Sequence, residues 1–446
     1  MTDFSIRISE SGDGHHEVPN GVAVFAHKQC LTRLMRPGSN HVDDYLRAPP
    51  IALSFWLVDN WWRLRWEAVP PIGMTPEWRL AHEMSSIGGG YVWPRLSIWG
   101  AGERVGLASK SDPPGITGPV RYIVDALMFV SVTNFERGVD ALLAEVLERQ
   151  LADADELRAL RSQFDALNNE RHDSNVAAWR RVEARLGFDP DEASNSLIEE
   201  ILELAKRYGK GGIEEAVSAA PGPEAGNSLR RQIEVAKASR THCNMKSALA
   251  NCSPIVKGRG VSPWRLAEAA AKRLRDKLQL DTGPIRNSDL SDVLGTTAAT
   301  VSASGSAMEI PYSLRLGPPT SGPVSVALRN VRPQDRRFDL VRVLGDAIWA
   351  RQDMLGPVGE SKTDRQMFQR AFAQSFLCPF QDLRDFLETN HPSDGDISAA
   401  ARHFAVSERV IRSLLVNKRV IPRGRLMPAD TYGYDPYQLD EELAAA

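Results

Sequence analysis

The sequence predicts a multidomain α+β protein, and three observations carry that prediction. Short apolar stretches with strand-like alternation crowd residues 1–135, helical spacing of three and four fills 136–226, and strand and helix patterns mix beyond 227. With 446 residues the chain can bury more than one core, and 42% apolar and 25% charged residues make an ordinary globular composition. A net charge of −3 excludes a general affinity for nucleic acid or membranes, so any such partner has to come from a local patch. The opening stretch MTDFSIRISESGDGHHEV lacks the basic start and apolar run of a secretory signal. No segment reaches the roughly 18 uncharged apolar residues of a membrane span. Four scattered cysteines, Cys30, Cys243, Cys252 and Cys378, suit reduced thiols better than a disulfide framework. A cytoplasmic protein with no membrane partner is expected.

Residues 1–135 hold seven of the ten tryptophans and are expected to form a mixed, β-rich module. In NWWRLRWEAV the period is two, which places Trp62, Leu64 and Trp66 on one face of a strand and Arg63, Arg65 and Glu67 on the other. YVWPRLSIWG and ERVGLAS predict further strands, and EWRLAHEMSSI a helix. After DPPGITGP, the stretch VRYIVDALMFVSV is expected to open the helical region. Trp61, Arg63 and Arg65 are candidates for stacking bases or holding an acidic peptide, because aromatic and basic groups interleave there. The competing reading puts the tryptophans in a core and the arginines on a solvent face.

The helical region, 136–226, carries paired Glu and Arg between its apolar positions and breaks at GFDPDE. Several short motifs on either side of this region carry little chemistry. His82-Glu83 matches half of a zinc helix, but Ser86 stands where the second histidine belongs, so a surface pair is expected. His15-His16-Glu17 is read as a solvated turn, Gly88–Tyr91 as a β-turn, and His242, Cys243 and Cys252 as incidental rather than zinc-binding.

The carboxy-terminal half is more specific. SPWRLAEAAAKRLRDKLQL predicts an amphipathic helix with Ser262 as N-cap and Pro263 at its first position. A turn and a short glycine-ended helix follow in GPIRNSDLSDVLG, then a strand in GPVSVALRN. The helix RRFDLVRVLGDAIWA comes next, then a Gly/Pro loop, MLGPVGESKTD, and the helical RQMFQRAFAQSFLCPFQDLRDFL. A final helix pair is predicted in DISAAARHFAVSERVIRSLLVNKRVI.

This order resembles the ImmA/IrrE family of gluzincin-like metallopeptidases over roughly residues 262–425. Arg337, Phe338, Leu340, Leu344 and Gly345 match the flanks of its His-Glu-x-x-His helix. Phe372, Ala373, Leu377 and Pro379 match its second signature, and ISAAARHFAVSERVIRSLL looks like its closing helix-turn-helix. The resemblance implies a peptidase-like domain over 227–392 and a helix-turn-helix with tail over 393–446.

The chemistry of that family is missing. Arg342 and Asp346 stand at the two histidines, Val343 at the catalytic glutamate, and the stretch Arg365–Gln369, where a third ligand belongs, has no carboxylate. A permanent guanidinium repels a metal, and valine takes no proton from water. The resemblance therefore implies a pseudopeptidase with no catalytic residue, no metal and no cofactor. It implies a regulatory or scaffolding protein that binds a protein partner, in a prokaryotic stress-response or anti-phage setting. Arg342 and Asp346, four apart on one helix face, are expected to pair where the metal would lie.

Two other readings stay open. One is an active zinc peptidase with unconventional ligands such as Asp346, Asp364 and a distant histidine. The other is a DNA-binding regulator. Residues Ile397–Arg425 carry seven Lys/Arg against one Glu. Val406, Val410 and Leu414 would face inward behind Ser407 as N-cap. Glu408, Arg409, Arg412 and Ser413 would lie exposed as on a recognition helix, and Arg409, Arg412, Lys418 and Arg419 are the candidates for binding DNA or a partner. Against this, the helix pair could simply pack into the domain it closes.

Overall fold

The computed structural model describes residues 3–9, 20–36, 41–71, 73–113, 115, 118–256, 261–280, 282–304, 310–330 and 332–426. His15, His16 and Glu17 lie outside them. The architecture is mixed α+β, with helices more numerous than strands and antiparallel sheets throughout. Two compact units form: residues 1–69 with 74–194, and residues 70–73 with 195–446. None of the described helices is long and apolar enough to cross a membrane.

In the first unit, β1 (Phe4–Ile8), β2 (Gly21–Ala26), β3 (Gln29–Cys30), β4 (Leu34–Arg36), β5 (His41–Asp43) and β6 (Leu46–Arg47) precede helices α1 (Pro50–Asp59), α2 (Trp61–Trp66) and α3 (Pro76–His82). Strands β7 (Arg95–Gly100), β8 (Arg104–Lys110), β9 (Arg121–Tyr122) and β10 (Ala126–Ser131) follow, then α4 (Val132–Glu148), α5 (Ala154–His172) and α6 (Ser174–Leu186). Three small sheets result: β1-β2-β3 with β6 on β2, β10-β8-β7, and β5-β4-β9. Their apolar faces share one core with α1, α2 and α4, including Phe4, Trp56, Trp62, Leu107 and Phe135.

Two expectations fail in this unit. NWWRLRW is the helix α2, not a strand. Trp61, Trp62, Arg63, Leu64 and Arg65 are all buried. Alternation separates strand from helix only when one face meets water, and here both are covered. VRYIVDALMFVSV is likewise β9 and β10. Here β9 pairs antiparallel with β4 and β10 with β8, and the helix begins only at Val132, where Ser131 Oγ accepts from Asn134 N at 3.2 Å.

The second unit opens with α7 (Asn195–Tyr208), α8 (Lys210–Ala219) and α9 (Ala225–Ala238), then β11 (His242–Cys243), α10 (Lys246–Ala250), α11 (Pro263–Lys277), α12 (Asn287–Leu294) and α13 (Ala298–Ser302). Next come β12 (Ser313–Leu316), β13 (Val324–Ala327), α14 (Pro333–Trp349), β14 (Leu355–Val358) and α15 (Asp364–Leu377). Helices α16 (Phe380–Leu387), α17 (Asp394–Phe404) and α18 (Glu408–Asn417) complete it. The expected loop MLGPVGESKTD contains the strand β14. Pro357 is tolerated there because β14 is the edge of the antiparallel sheet β11-β13-β12-β14.

Gly345 sets the approach of α14 to α15. A Cβ at that position would lie 3.2 Å from a Phe372 ring carbon and 3.4 Å from Gln369 Cα, so the two helices cross with almost no side chain between them. Helices α17 and α18 join the same core through Ile397, Phe404, Val410 and Leu414.

Candidate functional site

The residues that matter lie where α14 faces β12, β14 and α15. Asp339, Arg342 and Asp346, spaced three and four apart, share one face of α14. Ser313 and Arg315, two apart, share one face of β12. The two faces meet. Ser313 Oγ donates to Asp339 at 2.8 Å, and Arg315 Nη2 donates to Asp346 Oδ2 at 3.0 Å.

Asp346 and Arg342 were expected to pair with each other, and they do not. Asp346 takes Arg365 from α15 instead, with Nε to Oδ1 at 2.7 Å and Nη2 to Oδ2 at 3.1 Å. Gln369 Nε2 adds a fourth bond to Oδ1 at 2.7 Å. Each carboxylate oxygen thus accepts two donors, which fills the roughly four lone-pair sites a carboxylate offers. Burial alone would raise the Asp346 carboxyl, but Arg365 and Arg315 overcome it and hold the group below the ordinary carboxylate range. Arg315 itself is pulled below its usual value by burial, whereas Arg365, paired bidentately and also 2.6 Å from Asp353, is raised. Arg365 is therefore the principal counter-charge.

Gly356 makes room for this cluster. It sits opposite Arg315 in the β12–β14 ladder, and a Cβ there would collide with the Asp346 carboxylate and the Arg315 guanidinium.

Arg342 turns the other way. It donates to Gly359 O and, at 3.0 Å, to Gln366 Oε1, and it lies 3.4 Å from Glu360. Val343 is fully buried among apolar neighbours. Asp364 lies at the start of α15, also buried. Among the described residues no three His, Cys, Asp or Glu side chains come together in a way that could hold a metal.

A cleft of about 260 Å³ opens beside Arg342, between the β13–α14 connection, α14, α15 and the start of α18. Arg329, Arg370 and Arg409 also line it, with Glu360 among them.

The remaining candidates fare differently. Arg412, expected on an exposed face, is 3% exposed and donates to Asp394 Oδ1 at 3.0 Å. Ser413 is buried as well, because α18 is covered continuously from Val410 to Val416. Ser407 takes the N-cap position but makes no side-chain cap bond. Arg409 and Arg419 are exposed, and Lys418 pairs with Glu268 at 2.7 Å. The four basic residues therefore do not form one open face.

In the first unit, Trp61 is buried with Arg171 over its ring at 4.6 Å, so it offers no platform for a base. Arg63 and Arg65, expected on a solvent face, are buried instead. Arg63 pairs with Glu67 at 2.7 Å and Asp189 at 3.1 Å, and Arg65 with Glu136 at 3.0 Å. His82 is not a surface group: it is fully buried, stacked on Trp78, with Nδ1 2.6 Å from Ile98 O and Nε2 2.9 Å from Glu67. His242 and Cys243 form the short strand β11, and Cys252 is a half-buried free thiol.

Sequence reasoning passed over Arg315, Arg329, Glu360, Arg365 and Arg370. An arginine between two leucines, as in SLRLG, signals a buried charge in need of a partner. The stretch at 365–369 lacks a carboxylate but supplies a cation, Arg365, and two amides, Gln366 and Gln369, to the cluster and to Arg342. No family model, no curated protein and no solved structure matches this chain.

Proposed function

We propose that the protein is a non-catalytic regulatory or scaffolding component, built on a peptidase-like scaffold of the ImmA/IrrE kind, that binds a protein partner without cutting it. One observation supports this most strongly. The positions that would carry ligands and base, 342, 343, 346 and 365–369, converge around α14, yet a saturated aspartate–arginine cluster stands there. With two donors on each oxygen, Asp346 has no lone pair to offer a cation. With two arginines beside it, the site repels one. The unconventional-ligand peptidase would need Asp346 to abandon four hydrogen bonds. Of Arg409, Arg412, Lys418 and Arg419, the DNA-binding reading keeps Arg409 and Arg419 as exposed cations. A prokaryotic stress-response or anti-phage setting belongs to the same proposal.

The test is capture of partners by the full chain in its own host, with and without a chelator. A partner recovered at full length, equally well in both conditions, is expected. Partner fragments that disappear with chelator would overturn the reading.

A further inference from the structure

The cleft beside Arg342 carries more cations than carboxylates, with Arg329, Arg342, Lys362, Arg370 and Arg409 facing Asp335, Asp339 and Glu360. Glu360 Oε1 lies 3.4 Å from Arg329 Nη2 and 3.4 Å from Arg342 Nη1. Arg370 reaches the cleft from α15, anchored by two 3.2 Å bonds to Ser361 O. Arg409 reaches it from α18, exposed and without an ion pair among the described residues. Arg342 is 2% exposed, yet its Nε has no acceptor. The uncapped start of α18 adds the positive end of a helix dipole to the same wall.

We propose that this cleft binds a phosphate-bearing small molecule, with Glu360 as a resident counter-ion that the phosphate supplements. Arginine forks match phosphate oxygens in pairs, and a phosphate carries about −1.5 to −2 charge, enough to offset the surplus of cations over carboxylates in the lining. Asn330, Gln374 and Ser407 offer neutral donors, and half-buried Phe338 an apolar wall for the remainder of the ligand. The charge imbalance shows in the titration of the residents. Burial works to raise the Glu360 carboxyl, but Arg342, Arg370, Arg409 and Arg329 hold it at about 2. Burial, helped by Arg342 and Arg409, lowers Arg370 to about 10. An added anion relieves that crowding. The inference holds whether or not the unit binds a protein partner.

The test compares thermal unfolding of the full chain in sodium pyrophosphate and in sodium chloride at equal ionic strength. Pyrophosphate in large excess is expected to raise Tm by about 2 °C or more beyond chloride. Arg409→Ala, an exposed change that leaves the fold intact, is expected to lose at least half of that rise. Glu360→Gln is expected to start from a lower Tm and gain more from pyrophosphate than the unaltered chain. A rise no greater than chloride gives, or the same rise in Arg409→Ala, overturns the proposal. Those two readings suffice even if Glu360→Gln fails to fold.

Discussion

Two carboxylates on one face of α14, Asp339 and Asp346, meet opposite fates. Both are buried. Asp346 faces two arginines at hydrogen-bonding distance and is held below its ordinary pKa. Asp339 has a serine and an asparagine as close donors, with Arg342 only at 3.9 Å, and burial raises its carboxyl. Full charge within hydrogen-bond reach, rather than burial itself, decides the sign. The Asp346 end is sealed and structural. The Asp339–Arg342 end borders an open cleft that Arg329, Arg370 and Arg409 also line.

The largest test of this contrast is Asp346→Ala. It leaves Arg315 and Arg365 buried without their shared counter-charge, and a loss of about 3–5 kcal/mol is expected in denaturant unfolding. A change below about 1 kcal/mol would make the cluster incidental. Gly356→Ala attacks the same cluster through space, because the added methyl meets the Asp346 carboxylate; about 1–3 kcal/mol is expected from the same measurement. On α18, Arg412→Ala is expected to cost about 1–2 kcal/mol by loss of a buried donor, against about 0.5 kcal/mol or less for exposed Arg409→Ala. Equal effects of the two would restore the open-face reading of that helix.

Acid separates the two carboxylates more finely. The lowered Asp346 contributes stability that is complete above the ordinary aspartate value of 3.8 and is lost as pH falls below it. The raised Asp339 works the other way, favouring the fold below 3.8 and losing that contribution as pH rises through its elevated pKa. Asp346→Asn is therefore expected to flatten the loss of stability between about pH 5 and 2, and Asp339→Asn to steepen it. Unfolding free energies measured along that series check both signs.

Much of the second unit was legible from local rules. Ser262 and Pro263 at the start of α11, Gly295 at the end of α12, and the apolar spacing of α14, α15, α17 and α18 all stand where the sequence puts them. The failures share one cause. In α2 and along α18 residues of both characters are buried, and in β10 both faces are half-buried, so polarity ceased to report which side faces water. Arginine was the least readable residue. Arg63, Arg65, Arg315, Arg365 and Arg412 are all buried beside carboxylates distant in sequence, as Asp189 is from Arg63 and Asp346 from Arg315. That Arg342 and Asp346 share a helix face was correctly anticipated, but each finds its partners on elements that helix spacing alone does not reveal.

The most direct measurement is the zinc content of the full chain after incubation with excess zinc and desalting, beside its Asp346→Asn variant. No retained zinc and no rise in Tm are the results expected of a sealed Asp346 cluster in the unaltered protein. One zinc held per chain, raising Tm and lost in Asp346→Asn, would contradict it.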